Sequence, residues 1–162
     1  MMEDLPKLRD KARSAEPENK KFFARLKKSV PRGLDDTVQR LHVEAFREID
    51  CLHCANCCKT TSPIFRQHDI ERIARRLKMR PAELIEKYLH VDEDGDHVLN
   101  SAPCAFLGPD NYCSVYEDRP AACREYPHTE RKRFHQVLDL ALKNTAVCPA
   151  VFRIVEELKK IY

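Results

Sequence analysis

Apolar residues recur every three or four positions along most of the chain, which is the spacing of helices that bury one face. Phe22, Phe23 and Leu26 form such a face over residues 19–29, and Asp35 or Asp36 can cap the helix that follows. The apolar positions of that helix and of the later ones are Val38, Leu41, Ala45 and Ile49; Ile70, Ile73, Ala74 and Leu77; Leu84, Ile85, Tyr88 and Leu89; Phe134, Val137, Leu138 and Ala141; and Phe152, Val155 and Leu158. The pattern predicts a mainly helical protein.

The helical spacing is interrupted in the middle of the chain. VDEDGDHVLN, residues 91–100, places an Asp-Gly turn between two short extended pieces and predicts a β-hairpin. The loop region after it contains several prolines and a Gly-Pro pair, which argue against long helices, and a further short strand is predicted at Cys113–Tyr116. The expected fold is mainly α with a small irregular or two-stranded β portion, in a single compact domain.

The chain divides by composition into three parts. Residues 1–18 are polar, contain Pro6 and Pro17 and lack periodicity, which predicts a mobile tail. Residues 19–50 form a helical N-terminal extension. We expect residues 51–162 to form the domain that contains all eight cysteines.

Charge and hydropathy narrow the class of protein. The net charge of +3 is too weak a bias to indicate nucleic acid or membrane as a partner. The chain has no run of eighteen apolar residues, and its first residues do not resemble a signal peptide. We therefore expect a cytoplasmic protein whose cysteines stay reduced.

Four of the eight cysteines lie within CLHCANCC, residues 51–58. Thiolates at two-residue gaps can converge on zinc or on an iron–sulfur cluster, and Cys51, Cys54 and Cys57 have the spacing of the first three cysteines of bacterial ferredoxins. Adjacent Cys57 and Cys58 would point in opposite directions in an extended chain, so they could face different centres. The other four cysteines follow singly, and the spacing leaves open whether eight thiols make two four-cysteine sites or one larger cluster with spares.

Other uses of the thiols are disfavoured. Disulfides do not suit a reducing compartment, and Cys57 and Cys58 cannot bridge each other without strain. A dithiol redox site would need a βαβ context and a single C-x-x-C pair. Burial of some later cysteines as small apolar residues stays open.

The cysteine-containing segments together resemble a known family. CLHCANCC, PCAFL, YCSVYEDRPAACREYP and a late Cys-Pro are similar to the CxxCxxCC (YkgJ-like) cysteine-cluster family over about residues 51–150. The resemblance implies chelation of zinc or iron, with many members labelled as iron–sulfur proteins and a similar module in flagellin lysine methylases. The metal ligands that it implies are Cys51, Cys54, Cys57, Cys58, Cys104, Cys113, Cys123 and Cys148.

Residues beside the cysteines suggest supporting roles. Arg119 and Arg124 flank Cys123 and could offset thiolate charge, although Arg119 could equally anchor the turn against Glu117 or Asp118. His53 and His128 are alternative zinc ligands, with packing the favoured role. Tyrosines at 112, 116 and 126 could shield the site from water.

Three functions are consistent with these observations. The preferred one is an iron–sulfur protein, with a 4Fe-4S cluster, that handles electrons or assists protein modification through an unidentified protein partner. The second is a structural zinc protein that acts through partners. The third is a metal-responsive DNA binder, since residues 69–89 superficially resemble a helix-turn-helix, but acidic residues alternate with the basic ones there. The sequence contains no Gly-rich phosphate loop, no H-E-x-x-H motif and no nucleophile elbow, and catalysis stays open.

Overall fold

The structure, a computed structural model, describes residues 5–162. Helices occupy most of this range, and two short strands form one antiparallel pair, as the sequence pattern predicts. No helix in the described range is long and apolar enough to cross a membrane. The helices are α1 (Leu5–Lys28), α2 (Leu34–Glu48), α3 (Cys51–Cys54), α4 (Asn56–Thr60), α5 (Gln67–Arg76), α6 (Pro81–Tyr88), α7 (Ala121–Glu125), α8 (Leu138–Asn144) and α9 (Pro149–Ile161), and the strands are β1 (Leu89–Val91) and β2 (His97–Leu99).

The described chain forms two compact units. The helical unit consists of the described residues up to Cys54 together with Pro127–Tyr162, and the hairpin unit is Ala55–Tyr126. The predicted division into an N-terminal extension and a cysteine-cluster domain stays a prediction, because these units describe packing and not which part binds metal.

The helical unit contains α1, α2, α8 and α9, with apolar faces packed together. In α1 the buried face includes Leu8 and Ala12 as well as Phe22, Phe23 and Leu26. The structure therefore differs from the mobile tail predicted over residues 1–18, of which residues 1–4 lie outside the described range. Leu8 and Ala12 are one turn apart and extend the apolar face toward the N-terminus, and Pro17 lies within the helix without ending it.

Helix α2 begins differently from the prediction. Its N-cap is Gly33, which adopts a left-handed φ of 77°, so neither aspartate caps it through a side chain. The Asp35 carboxylate instead accepts the backbone N–H groups of Arg133 and Phe134 at 2.7 and 2.9 Å. Asp35 thus caps the 3₁₀ turn Phe134–Val137 that leads into α8.

In the hairpin unit, α5 and α6 pack beside the predicted hairpin. Leu89 pairs with Leu99 in the sheet and begins β1, so it is not the last apolar position of α6. The strand predicted at Cys113–Tyr116 is reduced to one isolated bridge between Leu107 and Cys113. The core of this unit consists of Phe65, Ile70, Ile73, Ala74, Leu84, Leu89, Leu99, Phe106 and Val115, with Cys104 and Cys113 packed against it.

Candidate metal centre

The helical unit holds three of the eight cysteines. Cys51 and Cys54 are the first and last residues of α3, one helical turn apart on the same side. The Asp50 carboxylate accepts the N–H of Leu52 at 2.9 Å and so caps this short helix. Cys148 is the N-cap of α9, where Pro149 begins the helix.

These three residues, Cys51, Cys54 and Cys148, interact electrostatically and are called the three-thiol group below. Cys54 and Cys148 are buried and Cys51 is exposed. Burial raises the pKa of Cys148 to about 12, and the nearby Cys51 and Cys54 thiols act in the same direction. The backbone N–H groups of Val151 and Ala150 donate to the Cys148 sulfur and partly oppose this shift, since they favour the thiolate.

The hairpin unit begins with the other half of the cysteine-rich segment. Ala55 has a left-handed φ of 46° and serves as the N-cap of α4, so α4 starts a new helical turn after it. Cys57 and Cys58 both lie in α4, and their side chains hydrogen-bond each other. The prediction that the two side chains point in opposite directions assumed an extended chain and is wrong, because this segment is helical.

A second set of thiols gathers round Cys58. It interacts electrostatically with each of three cysteines that are distant in sequence, and these four residues, Cys58, Cys104, Cys113 and Cys123, form what is called the four-thiol group below. The N–H of Cys104 donates to the carbonyl of Cys58 at 2.8 Å, which links their backbones directly.

All four thiols of this group favour the neutral form without metal. Hydrogen bonding to Cys57 is the main reason that the pKa of Cys58 is raised far above its usual range, with burial adding to it. Burial raises the pKa of Cys104 and of Cys113, and it raises that of Cys123 to about 12. A bound cation would reverse this preference, because a coordinating thiol is deprotonated.

Backbone donors are already aimed at two of these sulfurs. The N–H groups of Phe106 and Leu107 donate to Cys104, and that of Val115 donates to Cys113. Such bonds stabilise thiolates and tune the properties of a thiolate-bound centre.

Arg119 provides positive charge near the four-thiol group and acts to lower the pKa of Cys113 and of Cys123. Its guanidinium lies 3.9 Å from the centre of the Tyr116 ring and donates to the Tyr116 carbonyl at 2.7 Å, so Tyr116, and not Glu117 or Asp118, anchors it. Arg124 donates to the Arg119 carbonyl at 3.3 and 3.4 Å and supports the same turn. Their influence on a bound centre stays a prediction.

The three tyrosines that were predicted to shield the site from water are themselves partly exposed. Tyr112 is 56% exposed and Tyr116 is 41% exposed, so neither side chain covers a buried site completely. Tyr126 is half-buried.

The cysteine sulfurs of these groups are the ligands that zinc and iron–sulfur clusters prefer. Four cysteines match the ligand number of a closed zinc site or of one cubic iron–sulfur cluster. Across residues 5–162, however, no three Cys, His, Asp or Glu side chains stand at the spacing of a formed metal site. Binding would therefore draw neighbouring sulfurs inward, to about 2.3 Å from a zinc ion.

The cations of α5 and α6 are arranged differently from those of a DNA reader. Arg72 donates to backbone carbonyls, Arg76 lies 3.7 Å from Asp118, and Arg80 lies 3.0 Å from Glu83. Lys78, in the turn between the helices, adopts the left-handed φ of 55° that glycine usually supplies there. Cations used inside the protein are less available to phosphates, so this arrangement does not favour the DNA-binding hypothesis.

Comparison with known proteins identifies the family. The model of the CxxCxxCC family, described as "Putative zinc- or iron-chelating domain", matches residues 50–148. The match covers more than half of the chain, so this protein belongs to that family, and the resemblance seen in the sequence is confirmed. The family supports a metal-binding role with zinc or iron. No curated protein and no solved structure matches the chain.

Two residues near the four-thiol group were missed by sequence reasoning. Asp69, whose side chain has no exposed surface, and Arg72 bind the segment that leads into α7 and Cys123. The sequence showed only that Asp69 is a carboxylate in the first turn of a predicted helix. That position predicts a local cap and gives no indication of a bond to residue 121.

Proposed function

We propose that this protein holds an iron–sulfur cluster through its cysteines and uses it to handle electrons. The observation that carries the proposal is the four-thiol group, in which residues from α4, two loop positions and α7 interact although they span residues 58–123. These thiols are neutral without metal, and a bound cationic centre would convert them to thiolates that coordinate it. Their convergence from distant parts of the chain, with the Cys104 N–H bonded to the Cys58 carbonyl, supports a shared ligand set.

Iron–sulfur is preferred over a lone metal ion for two reasons. Many members of the family are labelled as iron–sulfur proteins, and N–H donors already point at the Cys104 and Cys113 sulfurs. When bound, such a cluster would supply one-electron transfer. The chain's own residues would hold it near the surface, because all four cysteines of the four-thiol group are only partly buried.

The role of each residue follows from its position. Cys58, Cys104, Cys113 and Cys123 would be ligands of one centre, and Arg119 would offset part of its negative charge. The three-thiol group would be a separate ligand set, and Cys57, hydrogen-bonded to Cys58, is a further candidate ligand. No cysteine in residues 5–162 forms a disulfide, which suits a cytoplasmic protein that exchanges electrons with a protein redox partner.

Structural zinc is the second candidate. The four-thiol group contains four cysteines, the donor set of a closed structural zinc site with no open position. In that case the centre would stabilise the loops of the hairpin unit, and the function would lie in binding a partner protein.

The test is anaerobic purification followed by measurement of iron, acid-labile sulfide and zinc per chain, with the visible spectrum. Iron with matching sulfide, and absorption that bleaches on reduction, would support the cluster. Zinc without sulfide would support the second candidate, provided that zinc is also retained when iron is supplied during expression. Absence of both metals would contradict the proposal.

Substitutions then assign the ligands. Cys123→Ala should remove metal from the four-thiol group, and Cys148→Ala should affect the three-thiol group instead. Ala122→Ser, on the same helix as Cys123, is the matched control and should leave the metal content unchanged. Equal metal content in Cys123→Ala and the control would exclude the four-thiol group as the site.

A further inference from the structure

Asp69 makes more bonds than a helix cap requires. It lies in the first turn of α5 and accepts the N–H of Arg66 at 3.1 Å, which is the local capping bond. Its Oδ1 also accepts Arg72 Nη2 at 2.8 Å and the N–H of Ala121 at 3.2 Å. A carboxylate with no exposed surface is stable only when it is paired and hydrogen-bonded, and these bonds meet that need.

Arg72 holds the same distant segment. Its Nη2 donates to the carbonyl of Arg119 at 2.9 Å and its Nε to the carbonyl of Asp118 at 3.2 Å. Together, Asp69 and Arg72 bind the backbone on both sides of Pro120. Arg72 donates to two carbonyls before the proline, and Asp69 accepts the one N–H that follows it.

The segment that they hold leads directly into the helix that carries Cys123. Helix α7 has only five residues, and its N-cap, Pro120, makes no side-chain capping bond. So short a helix is not stable alone, and the orphan N–H of Ala121 is satisfied by Asp69, which lies 52 residues earlier. The direction of α7 therefore depends on α5.

We propose that Asp69 and Arg72 are positioning residues for the four-thiol group, holding the start of α7 so that Cys123 lies beside Cys58, Cys104 and Cys113. This inference rests on the proposed metal binding at that group. Outer residues that orient metal ligands commonly alter affinity by about tenfold to a hundredfold when they are changed.

The chain contains a matched control. Glu83 occupies in α6 the place that Asp69 occupies in α5, accepting the N–H of Arg80 at 2.8 Å and Arg80 Nη2 at 3.0 Å. Glu83→Gln thus removes the charge of a comparable capping residue and its local ion pair without changing the bonds to residues 118–121. Arg75→Lys, on α5, is the control for Arg72→Lys.

The first experiment loads the full-length chain with Co²⁺, whose absorption reports thiolate number and geometry, and follows its release to a chelator. Asp69→Asn and Arg72→Lys should speed release by about tenfold to a hundredfold and weaken the ligand-field bands, because Cys123 is displaced. Both controls should match the unmodified protein. Arg72→Lys keeps the charge but not the planar fork, so it also tests geometry if Asp69→Asn lowers the yield of folded protein.

A second experiment separates this inference from metal binding itself. In the metal-free, reduced protein, iodoacetamide should alkylate Cys123 severalfold faster in Asp69→Asn than in the unmodified chain, with Cys104 of the same molecules as the internal reference. Failure of the unmodified chain to bind Co²⁺, iron or zinc would overturn the proposed function, and with it the metal-positioning role, whatever the alkylation rates. With metal bound normally, unchanged release, spectrum and alkylation in both variants, or equal changes in Glu83→Gln, would overturn the positioning role alone.

Discussion

The two thiol groups are built on different kinds of structure. In the helical unit, Cys51, Cys54 and Cys148 lie at the ends of helices, and Cys148 is the N-cap of α9, whose Ile154 and Leu158 are buried in the core. In the hairpin unit, the four-thiol group combines a short helix, loop positions and the five-residue α7.

The difference indicates where metal contributes most to stability. Long helices with continuous apolar faces fold by burying those faces, whatever their ends bind. Short elements joined by loops bury little apolar surface of their own and depend on links between distant residues. We therefore expect the metal centre to contribute more stability to the hairpin unit, where it joins α4, loop positions and α7, than to the helical unit, which is stabilised mainly by packing.

Metal removal should produce the largest effect. Structural metal sites contribute as much as about 10–16 kcal/mol of binding free energy to folding. Stripping the metal should speed amide hydrogen exchange by orders of magnitude across residues 103–126 through more frequent local opening, although the segment still folds, whereas α2 and α9 keep their protection. Hydrogen exchange with mass spectrometry, on loaded and stripped samples at one pH, measures this directly. Equal loss of protection in both units would contradict the expected difference in how much metal stabilises each of them.

A core substitution should show the packing contribution of the helical unit. Leu158 is fully buried, so Leu158→Ala should lower the free energy of unfolding by about 2–5 kcal/mol. Ile161→Ala is the control, because Ile161 is 47% exposed on the same helix and its change should cost less than about 0.5 kcal/mol. Urea unfolding of the metal-free protein gives both values. A loss in Leu158→Ala no larger than that of the control would refute the packing account.

Acid should affect the two units in different pH ranges, and this is the smallest of the expected effects. Burial lowers the pKa of His42, although Glu130 opposes the shift, and His42 Nδ1 lies 2.7 Å from Thr129 Oγ1. The unfolded histidine, with a pKa near 6.5, therefore binds its proton first as pH falls. The stabilisation of the helical unit by neutral His42 should be present above pH 6.5 and decline below it.

Asp69 sets the corresponding range in the hairpin unit. Burial acts to raise its pKa, but bonds from Arg72 and from the N–H groups of Arg66 and Ala121 outweigh burial, so the pKa is lowered from 3.8. Its contribution should be complete above about pH 3.8 and be lost as pH falls through its lowered folded pKa. Urea unfolding of the metal-free protein, from pH 7.5 to pH 3, should show that His42→Gln flattens only the upper range and Asp69→Asn only the lower one. A slope left unchanged by its own substitution would contradict the assignment.

Much of the local structure was predicted from the sequence. Pro81 begins α6 as expected, the Asp-Gly turn forms the hairpin, and Phe22, Phe23 and Leu26 are buried on one face. These features depend on residues a few positions apart, where periodicity, proline and turn chemistry act directly. The family, and with it zinc or iron binding, was also evident from the cysteine segments.

Contacts between residues that are distant in sequence could be seen only in the tertiary structure. It brings Cys51 and Cys54 to Cys148, and Cys58 to Cys104, Cys113 and Cys123, although Cys51, Cys54 and Cys58 lie within eight positions of the sequence. It also brings Asp35 to Phe134, and Asp69 to Ala121. A carboxylate or thiol accepts the donors that the folded chain brings to it, whatever their distance in sequence. Local sequence patterns were enough to predict the helices, the hairpin and the metal-binding chemistry. The grouping of the thiols depends on where the connecting segments place them in the folded chain.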